Sequence, residues 1–224
     1  RVALYGTGSY DFIAGGTGSG MNPVLSDLLS HVYKDVKVIL VGILPKLDES
    51  PASQQNTIDF LREINKNESL TYSLYDNETV DGPLKTVLKS VNSAIVEDIT
   101  TITGIHQKET DLSSIDERDA LKILRTPNRL VIANVKNLRE KDVDRKSIEE
   151  HLIDAVRNGH HTELETDKIV RRTGLIVSMN STLFNKFDPN ILEFKRTFGE
   201  PIESFEHTIV DESAPSRVDV LMSG

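Results

Sequence analysis

The sequence predicts an α/β protein with a doubly wound front half, a long helix, and a second, α+β lobe behind it. Residues 36–44 (VKVILVGIL) form a near-continuous β-branched run, which is typical of a parallel strand covered on both faces. Strand and helix patterns alternate before and after this run, as expected for a doubly wound sheet. One apolar face then persists at helical spacing over residues 83–104, the longest helix signal in the chain.

The front half begins with two short apolar runs, residues 1–5 and 11–14, and each is followed by glycines. This pattern predicts a strand and then a glycine turn. Asn22 suits a helix N-cap and Pro23 the first helical position, so we predict that a helix starts directly after the second glycine run. The remaining elements of this half are a helix opened by Ser50 and Pro51 and a strand over residues 70–75.

A polar stretch at residues 106–114 follows the long helix and is the best candidate for a domain boundary. We therefore divide the chain into residues 1–105, which include the long helix, and residues 106–224. Alternating patterns in the second part indicate an α+β lobe. Its predicted elements are helices at residues 116–124, 144–158 and 188–198 and strands at residues 129–135, 174–179, 204–210 and 217–222.

Composition and charge narrow the classes of function. Hydrophobic residues make up 38% and charged residues 27% of the 224 residues, which is ordinary for a globular protein. The formal net charge of −9 repels a phosphate backbone, so direct binding to nucleic acid is not expected. The chain has no cysteine, and no apolar run is long enough to span a bilayer. We therefore expect a cytoplasmic protein without membrane attachment.

A glycine-rich run lies between the second predicted strand and the capped helix. Gly-Gly-Thr-Gly-Ser-Gly at residues 15–20 would expose backbone N–H groups beside the positive end of the helix dipole, which suits a phosphate. Glycine lets a ligand approach the backbone closely. The run has neither the Gly-Lys-Ser/Thr ending of a Walker loop nor the Gly-x-Gly-x-x-Gly spacing of a dinucleotide fold. The alternative interpretation is a flexible turn.

This run resembles the signature motif of the tubulin/FtsZ superfamily, the glycine loop that holds nucleotide phosphates in tubulin, FtsZ and TubZ. The resemblance continues in order along the chain. Residues 42–46 (GILPK) are similar to the strand end after the signature in TubZ-like proteins, and residues 75–78 (YDNE) to the Asp-Asn turn of tubulin and TubZ. Residues 91–93 (VNS) match the central-helix asparagine, and residues 115–119 (IDERD) match the acidic loop that follows. Residues 192–224 resemble the family's last helix and strands.

The resemblance implies a Rossmann-like GTPase domain joined by a long central helix to a smaller α+β activation domain. It implies that the glycine run binds the phosphates of GTP or GDP, with Mg²⁺ as the accompanying ion. Asn77 and Asn92 would bind the guanine edge, because an amide offers a donor and an acceptor. Taken alone, Asn77 reads as a turn residue and Asn92 as a polar position beside an apolar helix face. The phosphate-binding residues would be Gly15, Gly16, Thr17, Gly18, Ser19 and Gly20.

The resemblance implies that two acids are catalytic and that one subunit inserts them over the γ-phosphate of the next. Asp116 and Asp119 are three residues apart on a short predicted helix, so both carboxylates face one side and could orient a water or help hold Mg²⁺. The alternative is a helix N-cap with a first-turn acid. Thr-Asp-Leu at residues 110–112 is a rival position for the acidic loop. Arg118, between the two acids, has no obvious counterpart in division FtsZ.

The resemblance also implies partners. Subunits would assemble head to tail into a homopolymer, and the GTPase site would be completed between neighbouring subunits. The amino-acid sequence of the signature at residues 14–20 and the Leu-Pro-Lys at residues 44–46 favour TubZ or PhuZ relatives from phages or plasmids. The filaments of those relatives position or partition DNA. Such a filament would reach DNA through a DNA-binding adaptor. The alternatives are a filament protein of the same fold that has lost hydrolysis and, from another class, a dinucleotide-binding enzyme.

One departure from the family lies at the front of the chain. Only thirteen residues precede Ala14, whereas the family has a further phosphate loop and several helices before its signature. We therefore expect that much of the nucleotide domain is absent. Residues 1–9 would then be the family's first strand and first glycine loop.

Two adjacent histidines, His160 and His161, follow the helix predicted at residues 144–158. An adjacent pair of histidines after a helix is more often part of an exposed turn than of a metal site. We interpret this pair as part of an exposed turn and not as a metal site.

Overall fold

The computed structural model of the chain divides into two compact units. Unit 1 comprises Arg1–Ile99, Pro127–Leu130 and His160–Thr162. Unit 2 comprises Thr100–Thr126, Val131–Gly159 and Glu163–Gly224. The predicted assignment of residues 1–105 to a nucleotide-binding domain and residues 106–224 to an activation domain stays a prediction. The structure describes residues 2–5, 16–34, 37–104, 114–142, 145–163, 170–186, 192–213 and 215–224.

Unit 1 is built on a parallel sheet. Strand β1 (Val2–Tyr5) pairs with β2 (Lys37–Leu44), and β2 pairs with β3 (Thr71–Asp76). β3 in turn pairs with the first residues of β4 (Asn128–Lys136). Because these strands are parallel, their carboxyl ends lie at one edge of the sheet. The strand predicted at residues 11–14 lies outside the described residues.

The helices of unit 1 are α1 (Gly16–Val32), α2 (Pro51–Asn65) and most of α3 (Leu84–Gly104), whose residues from Thr100 onward belong to unit 2. Ser50 caps α2 as predicted, because its hydroxyl accepts the backbone N–H of Ser53 at 3.1 Å. α3 matches the predicted long helix almost residue for residue. The buried side chains that α2, β2 and β3 share are Leu40, Phe60, Ile64, Leu70 and Leu74.

The start of α1 differs from the prediction. We expected a glycine loop and then a helix from Asn22, but α1 begins at Gly16, so residues 16–20 form its first turns. Pro23 lies inside the helix, where it cannot donate a hydrogen bond to the carbonyl of Ser19. Each glycine costs a helix only about 1 kcal/mol relative to alanine. α1 also packs against α2 and β2, and tertiary packing of this kind supplies most of the stability of helices in proteins.

Unit 2 contains a mixed sheet in the order β4, β7 (Arg217–Ser223), β5 (Arg172–Met179) and β6 (Glu203–Val210). β5 runs antiparallel to β7 and parallel to β6. All four strands of this sheet were predicted, with ends that differ by at most two residues. β5 and β7 are buried along almost their whole length, as their apolar sequences indicate.

The helices of unit 2 are α4 (Glu117–Arg125), α5 (Arg145–Arg157), α6 (Ser181–Phe184) and α7 (Leu192–Thr197). α6 was not predicted, because four residues are too few to show a helical period. α7 is shorter than the predicted helix at residues 188–198, of which residues 188–191 lie outside the described part. The largest fully buried side chains in this core are Ile148, Leu152, Met179 and Phe194.

Both units combine a sheet with helices, so the predicted α/β class is confirmed. Among the helices of the described ranges, none is long and apolar enough to cross a membrane.

Candidate functional site

The glycine run forms the N-terminal end of α1. Gly15 lies outside the described residues, and Gly16 is the first residue of the helix. In an α-helix the first four backbone N–H groups have no carbonyl to bond within the helix. In α1 they include those of Gly16, Thr17 and Gly18, which are three of the residues predicted to bind phosphate. The helix dipole adds partial positive charge at the same point.

Ser19 and Gly20, the last two residues of the run, differ in their exposure. The side chain of Ser19 is buried, whereas Gly20 is exposed and has open space where a Cβ would lie. Ser19 and Gly20 lie beyond the first three helical residues, so their N–H groups are placed to bond to carbonyls of the preceding turn. Among the described residues of the run, the backbone donors that the helix leaves open are therefore those of Gly16, Thr17 and Gly18. The side chain of Thr17 lies outside the described part.

Asn77 occupies a short 3-10 helix, Asn77–Thr79, directly after β3. The helix is started by Asp76, whose carboxylate accepts the N–H of Glu78 at 2.8 Å. Asn77 is fully buried, and neither its amide nitrogen nor its amide oxygen has a hydrogen-bond partner. A buried amide without partners costs about 1–3 kcal/mol per unsatisfied group. The interpretation of Asn77 as an ordinary turn residue does not account for this cost.

Asn92 lies on α3 beside Val91, which is buried. The side chain of Asn92 is exposed, with no recorded hydrogen bond in the described structure. Asn92 therefore lies at the edge of the buried face of the helix, which agrees with its interpretation as a polar position beside an apolar face. Its amide is also available to a ligand. Asn92, Asn77 and the glycine run all belong to unit 1.

Asp116 and Asp119 lie in unit 2, at the start of α4. The carboxylate of Asp116 caps the helix by accepting the backbone N–H of Asp119 at 2.8 Å. The carboxylate of Asp119 forms an ion pair with Lys122 at 2.9 Å. Each acid therefore has a structural role within the first turn of the helix. The cap is the alternative that the sequence left open for Asp116, and the catalytic role of both acids stays a prediction.

These acids stand beside an open groove along the outer side of α4, which we call the α4 groove. Its volume is about 770 Å³, and it lies entirely within unit 2. The inner side of α4 is buried through Ala120, Ile123 and Leu124, so the polar residues of the helix face the groove. The groove is lined by Asp116, Glu117, Arg118, Leu121, Lys122, Arg125 and Arg172.

Sequence reasoning missed a buried polar cluster in unit 1. The hydroxyl of Tyr75 donates a hydrogen bond to the carboxylate of Asp98 at 2.7 Å, and Nε2 of His161 lies 3.0 Å from the same oxygen. Burial, followed by the charge of Asp98, raises the pKa of Tyr75 far above its ordinary value. The interpretation of His161 as an exposed turn residue was therefore wrong. No sequence signal links it to Asp98, which lies 63 residues earlier.

His160 connects the short segment His160–Thr162 to other residues of unit 1. Its backbone carbonyl accepts the N–H of Asp76 at 2.8 Å, while its ring nitrogens lie 3.2 Å from the hydroxyls of Thr79 and Ser90. These contacts place the histidine pair in a structural role. Within the described part of the chain, no group of three or more histidine, aspartate or glutamate side chains could hold a metal ion.

No family model matches the sequence, and no curated protein matches it. Solved structures do match. TubZ from Clostridium botulinum phage c-st has a TM-score of 0.72 and 19% identity, over 99% of this chain and 64% of that one. GDP-form protofilaments of Bacillus thuringiensis serovar israelensis TubZ give a TM-score of 0.75 and 18% identity, over 100% and 61%. The GTPγS-bound protofilament of CetZ2 from Haloferax volcanii gives 0.72 and 19%, over 100% and 64%.

This chain therefore has the same fold as these TubZ and CetZ structures, and the tubulin/FtsZ-like fold that the resemblance implied is confirmed. The chain spans 61–64% of the length of these three structures.

Proposed function

We propose that this chain belongs to a GTPase that polymerises head to tail into cytoplasmic filaments and hydrolyses GTP between neighbouring subunits. The observation that carries the proposal is the glycine run at the N-terminal end of α1, in a fold shared with TubZ and CetZ structures. Among those structures, one is a protofilament in a GDP form and one is a protofilament with GTPγS bound. GTP or GDP is accordingly the proposed ligand.

Phosphate binding follows from the backbone donors of α1. The N–H groups of Gly16, Thr17 and Gly18 point out of the helix end, where the oxygens of a triphosphate would accept hydrogen bonds from them. The two glycines carry no side chain that would keep the phosphate oxygens away from the backbone. Gly15 and Gly20 would flank the ligand.

The orphaned amide of Asn77 fits recognition of guanine. Its amide nitrogen and oxygen both lack partners, and a guanine edge presents complementary acceptor and donor groups. Because the amide is fully buried, the side chain must turn or its cover must shift for the base to reach it. Asn92 would supply a second amide from the exposed side of α3.

The proposed reaction is GTP and water giving GDP and phosphate. Asp116 and Asp119 of one subunit would act on the nucleotide of the next, orienting the attacking water and accepting its proton. One carboxylate oxygen of Asp116 caps α4, and one of Asp119 pairs with Lys122. Mg²⁺ would neutralise phosphate charge, and it commonly takes one or two carboxylates with phosphate and water ligands.

A second candidate is a filament protein of the same fold that no longer hydrolyses GTP. It is favoured by the local roles of the two acids, since the helix cap and the ion pair account for both without catalysis. Arg118 also places a positive charge between them. Assembly that depends on nucleotide but releases no phosphate would single out this candidate.

We propose plasmid or phage DNA positioning as the biological role, because a solved structure of the same fold is a phage TubZ. The net charge of −9 disfavours direct contact with DNA. A DNA-binding adaptor protein would therefore connect the filament to its cargo.

The test is sedimentation of the purified protein with GTP while phosphate release is followed in the same tube. Pelleting with release that rises with protein concentration would support the proposal, whereas a folded protein that shows neither would contradict it. The matched variants are Gly18→Ala and Gly20→Ala. Both replace a helical glycine and should raise stability by up to about 1 kcal/mol.

Only the Gly18→Ala methyl group lies among the free donors, so we expect it to weaken GTP binding by at least about tenfold, or 1.4 kcal/mol. Gly20→Ala should bind GTP nearly as wild type does, because a Cβ there meets open space. Equal binding by both variants would overturn the assignment of the glycine run.

A further inference from the structure

The segment His160–Thr162 pairs with the last residues of β3 in unit 1. The backbone carbonyl of His160 accepts the N–H of Asp76 at 2.8 Å. The next residue of the segment, His161, forms an isolated antiparallel bridge with Tyr75. The segment therefore lies where β3 ends and the following turn begins.

The ring of His160 connects two elements that follow this strand. Its Nδ1 lies 3.2 Å from the hydroxyl of Thr79, and its Nε2 lies 3.2 Å from the hydroxyl of Ser90. Thr79 is the last residue of the 3-10 helix Asn77–Thr79, and Ser90 belongs to α3. One side chain thus joins the 3-10 helix to α3.

The direction of both hydrogen bonds follows from the hydroxyl of Thr79. That hydroxyl donates its one hydrogen to the carbonyl of Asp76 at 2.7 Å, so towards His160 it acts as an acceptor. Nδ1 of His160 therefore carries a hydrogen. In the neutral ring Nε2 then accepts the hydroxyl hydrogen of Ser90. A ring that donates on one side and accepts on the other satisfies both hydroxyls at once.

His160 contacts the 3-10 helix at both of its ends. Its backbone carbonyl binds Asp76, the residue that caps the helix, and its ring binds Thr79, the last residue of the helix. Asn77 lies between these two points. A shift of the backbone at Asn77 would therefore break one or both contacts with His160.

Asn77 needs such support because its amide is in an unfavourable place. The residue is fully buried, and neither its amide nitrogen nor its amide oxygen has a hydrogen-bond partner. Turning the side chain outward would relieve this cost. An unfavourable local arrangement persists only where the surrounding structure fixes it, and such places are often functional.

The contact with α3 leaves the exposed amide of Asn92 clear. Ser90 and Asn92 are two residues apart on the helix, so their side chains point about 200° apart. The side chain of Val91 between them is buried. His160 therefore meets one flank of α3 while a ligand of Asn92 would lie at the other. It acts on the ligand only through the elements that it connects.

The neighbouring histidine has a different role. The ring of His161 is buried, with Nε2 at 3.0 Å from the carboxylate of Asp98 and Nδ1 at 3.5 Å from the hydroxyl of Ser73. Neither partner belongs to the 3-10 helix. His161 thus attaches the segment to β3 and α3, and His160 alone of the pair reaches the turn with Asn77.

We propose that His160 is a positioning residue for base recognition. It fixes the 3-10 helix against α3, so that the amide of Asn77 stays buried and unpartnered where guanine binds. The inference rests on the proposed function, in which Asn77 recognises guanine, and goes further by naming the residue that sets this specificity.

The test compares GTP with ATP, because the two nucleotides carry the same triphosphate and differ in the base. Dissociation constants for both are measured by titration calorimetry on the full chain. We expect His160→Ala to weaken GTP binding about tenfold and to change ATP binding by less than about twofold. His160→Asn keeps an N–H donor near the position of Nδ1, so it should retain most of the preference for GTP.

Two matched controls accompany these variants. His151→Ala removes an exposed histidine of α5 and should keep the preference of the wild type. Ser90→Ala removes the α3 side of the bridge and should lower the preference for GTP about threefold. Ser93→Ala should not lower it, because the hydroxyl of Ser93 bonds to the carbonyl of Lys89 in its own helix at 2.8 Å.

A purely structural role of His160 would change the binding of both nucleotides alike or of neither. Equal weakening of GTP and ATP binding, or an unchanged preference in His160→Ala, would therefore overturn the inference. If His160→Ala does not fold, Ser90→Ala against Ser93→Ala decides in the same way.

The wild type separates this inference from the proposed function. A wild-type protein without preference for GTP would contradict guanine recognition and this inference together. A wild-type protein that prefers GTP, with the same preference in His160→Ala, would contradict this inference alone.

Discussion

The carboxylate of Asp116 accepts a hydrogen bond from the backbone N–H of Asp119 at 2.8 Å, so the helix cap of α4 joins the two predicted catalytic acids. A substitution at Asp116 therefore changes stability and chemistry together unless the new residue can still cap. Asparagine caps a helix about as well as aspartate, whereas alanine cannot cap it at all.

We predict that Asp116→Asn keeps the unfolding free energy of the wild type and that Asp116→Ala loses about 1 kcal/mol. Both variants should slow phosphate release in filaments by about a hundredfold or more if the carboxylate acts on the attacking water. Urea unfolding and phosphate release check the two effects. Normal release by Asp116→Asn would leave the cap as the residue's only role.

Asp119→Ala should form filaments that turn over slowly. Its ion pair with Lys122 is partly exposed, with side chains 26% and 40% accessible, so its loss should cost less than about 1 kcal/mol. Asp59→Ala is a matched control, because Asp59 pairs with Arg62 three residues on, on the exposed side of α2. Rapid phosphate release by the Asp119 variant would remove this acid from catalysis.

Asn77→Leu should separate stability from nucleotide binding. Leucine removes two unsatisfied polar atoms from a buried site at similar volume, so the ligand-free protein should be unchanged or up to about 2 kcal/mol more stable. The stabilisation that GTP confers on the wild type should be lost. Thermal unfolding with and without GTP measures both. A less stable ligand-free variant would show that the amide has a partner in the folded protein.

The buried cluster around Asp98 should contribute to stability through the hydroxyl of Tyr75. Tyr75→Phe removes a donor at 2.7 Å from a buried carboxylate, and we expect a loss of about 1.5–3 kcal/mol. Tyr72→Phe, on the same strand but with its hydroxyl outside any recorded hydrogen bond, should stay within about 0.5 kcal/mol of the wild type. Equal effects of the two substitutions would contradict the role of the cluster.

His207 predicts a pH dependence of folding. Burial lowers its pKa, its Nδ1 accepts the N–H of Ile115 at 3.1 Å, and its Nε2 has no partner. Below the ordinary histidine pKa of about 6.5, this side chain is protonated in the unfolded chain, whereas in the folded chain it stays neutral to lower pH. Stability should therefore fall as pH drops through this range, by at most about 1.4 kcal/mol per pH unit. His207→Gln should remove this part of the slope in denaturation curves measured from pH 7.5 to pH 5.

Most of the fold could be read from local patterns. The β-branched run of β2 and the apolar face of α3 each encode a period that neighbouring residues share, so both elements were predicted to within a residue or two. The glycine run was found for the same reason, because its residues are adjacent in sequence. The start of α1 was not, because glycine suits both a turn and a helix, so the local pattern does not fix the residue at which the helix begins.

The sequence by itself determined the α/β class, the order of elements and the glycine run that led to the tubulin/FtsZ-like fold. Only the tertiary structure decided that His161 is buried against Asp98, that the amide of Asn77 has no partner, and that α4 and Arg172 form one cationic groove. Each of these depends on residues that are distant in the chain and brought together by sheet pairing and helix packing. Such contacts leave no period or spacing in the sequence, because the partners are not neighbours along the chain and the same residue types occur at many other positions.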